Sequence, residues 1–359
     1  MIGPTLTRYF SVTFARTVLS VFGLMFLLIY LLDFVEMLRR ASDAKGSSTL
    51  LVAFLSLLRV PSVSEQVMPF AVLFGAMFAF INLTRKLELV VARAAGMSVW
   101  QFMLPPVAVA LAIGIVATTI YNPISALSKR QADRLELKLF GAAGAGEKAL
   151  WLRQKSIDGQ AIIRADHAED GGTSLTGVTA FVFEPDGSFQ ERVNAKSAEL
   201  EPGFWSLTDA HIISPDDEPQ DSKTFLLATN LTADQVSQSF VAPEGVPFWS
   251  LPAFQQRTEQ AGLDATAYRL RYQTLLARPL LLVTMVLIAA SFSLRFFRFG
   301  GVAKMVSGGV AAGFVLYVAT TLIGDLGGAG ILSAPVAAWS PAIVGSMLAT
   351  FVLLQQEDG

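Results

Sequence analysis

Asp33, Glu36, Arg39 and Arg40 close the first long apolar run of this chain, Lys129, Arg130 and Arg134 follow the third, and Arg278 sits inside the fourth. Cations gathered at a membrane boundary can hold phosphates through charge-assisted hydrogen bonds. They can equally anchor helix ends by snorkelling, and both readings stay open for each residue. Asp33 and Glu36 do not suit an anion site. Pairing with arginines of this chain or of a partner would keep their charges from standing alone. Catalytic chemistry is hard to build from the rest. Cysteine is absent, and the two histidines, His167 and His211, lie far apart, so neither a thiol nucleophile nor a metal-ligand set is expected. No Gly-x-x-x-x-Gly-Lys-Ser/Thr occurs, so the chain has no ATPase site of its own by this criterion and is not expected to be an enzyme.

The elements that carry these charges must be membrane helices. Hydrophobic residues make up 53% of the 359 and charged ones only 16%, more apolar surface than a soluble domain of this size uses. The net charge of −2 argues against a nucleic-acid binder. The first apolar run, Thr17–Leu32, continues to Leu38 without a small-residue cleavage site and reads as a retained span rather than a signal peptide. Residues 1–16 read as an interfacial lead-in, with Tyr9, Phe10 and Phe14 on its apolar side. The second run, Leu50–Leu83, is over-long for one straight crossing. Pro61 and Pro69 predict kinks in it, and Arg59 and Glu65 suggest that part of it lies at the interface. A third run covers Val99–Tyr121, and three more cover Thr274–Leu294, Met305–Gly324 and Pro335–Leu354.

Between Lys129 and Glu259 the apolar runs shorten. Ala149–Leu152, Ala161–Arg164, Thr179–Phe183, Phe204–Leu207 and Thr224–Ala228 read as strands, with turns at Glu184-Pro-Asp-Gly187 and Glu201-Pro-Gly203. Strands at this spacing predict a sandwich, jelly roll or open barrel. A proline-marked linker and a short helix over Ser250–Ala261 lead back to the membrane. The expected organisation is three spans in 1–128, a β domain with its return linker in 129–262, and three spans in 263–359.

Segment 84–97 stands out between two uncharged runs. In Glu88-Leu-Val-Val-Ala-Arg-Ala-Ala-Gly-Met-Ser98, with Leu87 before it, Leu87, Val90, Val91 and Ala94 share one helical face, while Arg85, Lys86, Glu88 and Arg93 take the others. A helix this short cannot cross a bilayer. It is either a solvated connector or a docking helix for a soluble partner. Lysine and arginine are concentrated on the N-terminal side of the spans, which places this segment in the cytoplasm and the β domain outside. In the fifth span, Gly309-x-x-x-Gly313 permits close helix approach within one subunit, or a face turned to a second subunit or to lipid chains, with Phe314 and Tyr317 nearby.

Several motifs, in order, resemble the LptF/LptG family of lipopolysaccharide export permeases, its LptG branch more closely. Leu32-Asp33-Phe34-Val35-Glu36-Met37-Leu38-Arg39-Arg40-Ala41 resembles the end of the family's first span. Val60-Pro61 with Met68-Pro69-Phe70-Ala71 resembles its second, Glu88–Ser98 its coupling helix, Leu150-Trp151-Leu152 the entry to its β-jellyroll, and Gly313-Phe314-Val315-Leu316-Tyr317 its fifth span. The resemblance implies an α-helical inner-membrane protein of six transmembrane helices, arranged 3+3 around an inserted periplasmic β-jellyroll. It implies a homologous sister permease (LptF-like), a cytoplasmic ATPase dimer that binds the ATP, and a singly anchored periplasmic bridge protein of β-jellyroll type. The cargo would be lipopolysaccharide, and no cofactor is implied in this chain. Asp33, Glu36, Arg39, Arg40, Arg134, Phe314 and Tyr317 would then line the lipid's path. Arg85, Leu87, Glu88, Val90, Val91 and Arg93 would couple to the ATPase. At Asp33 the chain departs from the basic residue expected in some relatives. Two further classes fit the bare residues, an ABC-type permease for another lipid or lipoprotein and a membrane-anchored periplasmic sensor or scaffold.

Overall fold

A computed structural model describes residues 4–41, 48–88, 91, 94, 96–144, 150–156, 159–169, 172–215, 218–233, 236, 242–260, 264–294 and 302–357. Its first helix, α1, runs unbroken over Pro4–Ala41, and α2 over Thr49–Arg85. Ser48 caps α2 by accepting a hydrogen bond from the Leu51 amide. Both Pro61 and Pro69 are accommodated inside α2 without ending it. α3 covers Val99–Val116 and passes through a single π turn, Ala117–Tyr121, into α4, Asn122–Gly144. The helix therefore continues beyond Lys129, where the composition changes. After the strands come α5 (Leu251–Gln260), α6 (Thr266–Ser293), α7 (Val302–Gly328) and α8 (Ala334–Glu357). Among the described residues, six helical stretches, three before the strands and three after, are long and apolar enough to cross a membrane.

The N-terminal stretch differs from its expected role. Residues 4–16 are the first turns of α1 itself, and Phe10 and Phe14 are buried in the core of the helical bundle. Phe10 meets Phe102 edge-on at 4.9 Å between ring centroids, and Phe14 lies 6.3 Å from Phe80. Aromatic rings at i and i+4 on α1 thus pin it to α2 and α3, so they serve helix packing instead of the lipid interface.

The strands form one antiparallel sheet: β1 (Leu150–Ser156), β2 (Gly159–Ala165), β3 (His167–Glu169), β4 (Ser174–Phe183), β5 (Phe189–Glu201), β6 (Phe204–Ile213) and β7 (Gln220–Ala228). Neighbours follow chain order, β1-β2-β4-β5-β6-β7, with the short β3 also paired to β4. Every described ladder joins strands close in sequence, as hairpin turns dictate. At Glu184–Gly187 the Gly187 amide donates to the Glu184 carbonyl, and Gly187 takes the positive φ of 89°. One face of the sheet buries alternating residues such as Ile163, Leu175, Val193 and Trp205 in a core of its own.

That core contains one polar tie. Buried Gln154 on β1 accepts from the Trp205 indole at 3.3 Å and the Thr229 hydroxyl at 2.6 Å, and its amide donates to the Ala228 carbonyl at 3.2 Å. Gln154→Leu leaves these groups without that partner, at a cost of about 1–3 kcal/mol for each one that stays unsatisfied. The expected result is faster amide hydrogen exchange across β1, β6 and β7 in the full chain, with exchange in α1 and α2 unchanged.

Candidate functional site

Of the charges named from the sequence, Asp33, Glu36, Arg39, Arg40 and Arg278 fall into two groups on the side of the helical bundle that leads to the sheet, and Lys129, Arg130 and Arg134 join neither. In the outer group, Glu36 on α1 pairs with Arg39 and Arg40 one turn on, each at 3.0 Å. Arg59 on α2 reaches Asp33 at 3.3 Å and Glu136 on α4 at 2.8 Å, and Arg40 lies 3.9 Å from Glu136. Three helices thus bring together three carboxylates and three guanidinium groups, and the formal charges cancel. Arg39 and Arg40 keep exposed side chains, whereas Asp33 and Glu136 are largely covered. An incoming phosphate would have to displace Glu36 from Arg39 and Arg40. Arg59 was named only as a sign of the interface and Glu136 not at all, although an arginine within an otherwise apolar run signals a partner on a neighbouring helix. Arg134 is exposed on α4 and forms no ion pair among the described residues.

The inner group lies one to two turns deeper. Glu65, 2% exposed, forms ion pairs with Arg278 and, at 2.8 Å, with Arg271, both on α6. The Asn122 amide donates to both Glu65 oxygens at 3.1 and 3.2 Å, while Asn122 Oδ1 accepts the Phe248 backbone amide at 2.9 Å. Next to it the Trp249 indole donates to the Thr119 carbonyl at 3.0 Å, within the π turn. A π turn displaces the regular i→i+4 pattern and leaves carbonyls open to other donors. These bonds correct two expectations. Glu65 is not an exposed boundary charge but the centre of a network buried within the protein, and Arg278 is occupied by it, so it is not part of an open cationic ring. The network ties α2 and the α3–α4 helix to the return linker and to α6. Farther along the linker, Arg269 on α6 holds the Glu259 carboxyl of α5 below the usual carboxylate range by hydrogen bonding.

The fifth span resolves into two faces. A Cβ at Gly309 would stand 2.6 Å from Met77 Cε, and one at Gly313 would collide with the Leu73 side chain, so both glycines serve contact with α2 inside this subunit. Phe314 and Val315 face outward, 57% and 66% exposed, while Tyr317 is partly exposed and meets the Phe70 ring at a tilt, 5.1 Å between centroids. α1 and α7 bury only 6% and 17% of their apolar windows within the chain, against 61% for α2 and 67% for α6. Lone apolar helices this bare belong against lipid or another subunit.

At the opposite end of the bundle, Leu87 adopts a left-handed φ of 60° and stands at the turn that follows α2. It is therefore not on the helical face expected for it, because that face begins only after the turn. Val91, whose amide donates to the Leu87 carbonyl at 2.9 Å, is 66% exposed, and Leu87 is 61% exposed. Val90 and Arg93 lie outside the described residues. Arg85 ends α2 and is exposed. Glu88 Oε1 accepts from the Tyr9 hydroxyl on α1 at 3.2 Å.

Six apolar helices, a sheet with its own core inserted between the third and fourth, and charges held at the helix ends define a multi-pass membrane protein whose helices leave outward faces uncovered. The model of the lipopolysaccharide export system permease family LptF/LptG matches residues 8–355. The chain belongs to that family. It is 25% identical to the lipopolysaccharide export system permease protein LptG of Escherichia coli (strain K12) over 330 residues, 89% of this chain and 90% of the relative. It is 22% identical to LptG of Haemophilus influenzae over a stretch of the same length.

Proposed function

We propose that this chain is an LptG-like permease subunit of lipopolysaccharide export, residing in the inner membrane and lifting the lipid toward a periplasmic bridge. The family match over nearly the whole chain carries this reading. The bare outer faces of α1 and α7 support pairing with a homologous, LptF-like sister permease, the two subunits enclosing an apolar cavity. Phe314 and Tyr317 would meet acyl chains there. Arg39, Arg40 and Arg134 would take the lipid's phosphates, with Glu36 holding Arg39 and Arg40 in the empty state and Asp33 paired to Arg59 beside them. The lack of a P-loop motif supports a separate cytoplasmic ATPase dimer, which would dock on Arg85, Leu87, Glu88, Val90, Val91 and Arg93. Closure of that dimer would rock the helices as rigid bodies and squeeze the cavity. We read the sheet as the periplasmic jellyroll-type domain, whose edge strands β1 and β7 can extend a sheet into the bridge protein.

Photo-crosslinkers placed at Phe314 and at Arg40 test the reading directly. Lipopolysaccharide is expected in the crosslinked product from both positions, and its absence from both would overturn the cavity assignment. Depletion of the protein is expected to trap lipopolysaccharide in the inner membrane, and normal surface delivery would count against export.

A further inference from the structure

We propose that a cavity between the N-terminal half of α1 and the C-terminal end of α2 binds the headgroup of an anionic membrane phospholipid. The cavity is an open cleft of about 630 Å³ whose wall holds three exposed cations, Arg8 and Arg16 from α1 and Lys86 from the end of α2, with no acidic residue among its lining. None of the three cations forms an ion pair among the described residues. Thr5, Tyr9 and Asn82 add polar groups that suit the oxygens of a phosphoglycerol. The residues contributed by α1 recur at three- and four-residue spacing, so they form one stripe on the face away from the buried Phe10 and Phe14. At liquid density the space equals on the order of twenty waters, room enough for a headgroup.

Position selects a lipid over a free anion. After Arg16 the helix carries no charge until Asp33, and the rise from one to the other is about 26 Å, close to the thickness of a hydrocarbon core. The cavity therefore lies at the boundary opposite the sheet, its lining ending at Thr17, where the apolar stretch begins. Basic pockets between helices at such a boundary are suited to anionic headgroups. Tyr9 connects the cavity to the docking segment, because its hydroxyl donates to Glu88 while its side chain lines the wall. A bound headgroup would hold Tyr9 and Lys86, the two residues that flank the start of that segment. The cytoplasmic side of this boundary rests on the orientation in the proposed function.

The complex purified with its partner subunits, exchanged into detergent, would be titrated with phosphatidylglycerol or phosphatidylcholine and bound lipid counted by native mass spectrometry. Phosphatidylglycerol affinity is expected to fall at least tenfold in Arg8→Gln/Arg16→Gln/Lys86→Gln and about threefold in Lys86→Gln alone, with phosphatidylcholine unaffected. If the triple variant fails to assemble, Lys86→Gln decides. Equal phosphatidylglycerol binding by the wild type and a folded variant overturns the proposal. So does complete displacement by inorganic phosphate, which would mark a soluble phosphate site. Lipopolysaccharide crosslinking from Phe314 and the sidedness of an N-terminal tag are read separately, so failure of the export reading or of the orientation is distinguishable from failure of this site.

Discussion

Glu65→Leu is expected to destabilise the full chain by about 3–5 kcal/mol, the cost of breaking a buried ion pair from one side. Leucine fills much of the space, so the loss is electrostatic. Arg278 and Arg271 would be left as buried cations facing each other, and the Asn122 amide would lose both acceptors. Asn122 also holds the Phe248 amide, so the return linker should loosen with it. The measurement is the thermal midpoint of the detergent-solubilised protein together with its level in membranes. Glu65→Leu/Arg278→Met separates charge from shape. Replacing both partners by apolar groups is often nearly neutral, so the double variant is expected to recover part of the loss. A double variant as unstable as the single one would show that the carboxylate acts through packing and not through its charge.

Glu88→Arg should lower co-purification of the ATPase subunit by at least tenfold, about 1.4 kcal/mol, while membrane insertion stays normal. Charge reversal at an interface sets like charges together and can cost several kcal/mol. Because Glu88 also accepts a hydrogen bond from Tyr9, a control is needed that removes this bond and keeps the acid. Tyr9→Phe does so and is expected to reduce co-purification only about twofold. If Tyr9→Phe lowers it as much as Glu88→Arg, then Glu88 works by placing the segment and not by meeting the partner. Undiminished co-purification in Glu88→Arg would remove the residue from the interface altogether.

The six long helices were legible because apolar runs of twenty or more residues have few other homes. Their ends were less so. α1 begins at Pro4 because Phe10 and Phe14 find partners on α2 and α3, which no local pattern reveals. Five strands were placed near their observed cores, but β5, the longest at 13 residues, was missed. Its buried positions include the small Ala195 and Ala198 beside Val193, and its outward positions are charged, so tertiary pairing with β4 and β6 overrides a weak local preference. Among the site residues, the pairing of Asp33 and Glu36 with arginines followed from charge alone. The Glu65 network did not, because Glu65 and Arg278 stand more than two hundred residues apart and each seemed explicable by the interface. Opposite charges in separate spans are the signal that would have joined them.

Helical from Val99 to Gly144, the α3–α4 rod measures about 69 Å at 1.5 Å per residue, and a hydrocarbon core of roughly 30 Å uses less than half of it. In the orientation proposed above, the remainder is a boom that would reach beyond the bilayer toward the sheet. Geometry then acts as a gearbox. If the buried portion tilts by about 10° around the π turn, a point roughly 40 Å farther along swings by about 7 Å, more than one inter-strand spacing. A small rearrangement among packed helices would thus arrive at the sheet as a displacement large enough to make or break a strand pairing.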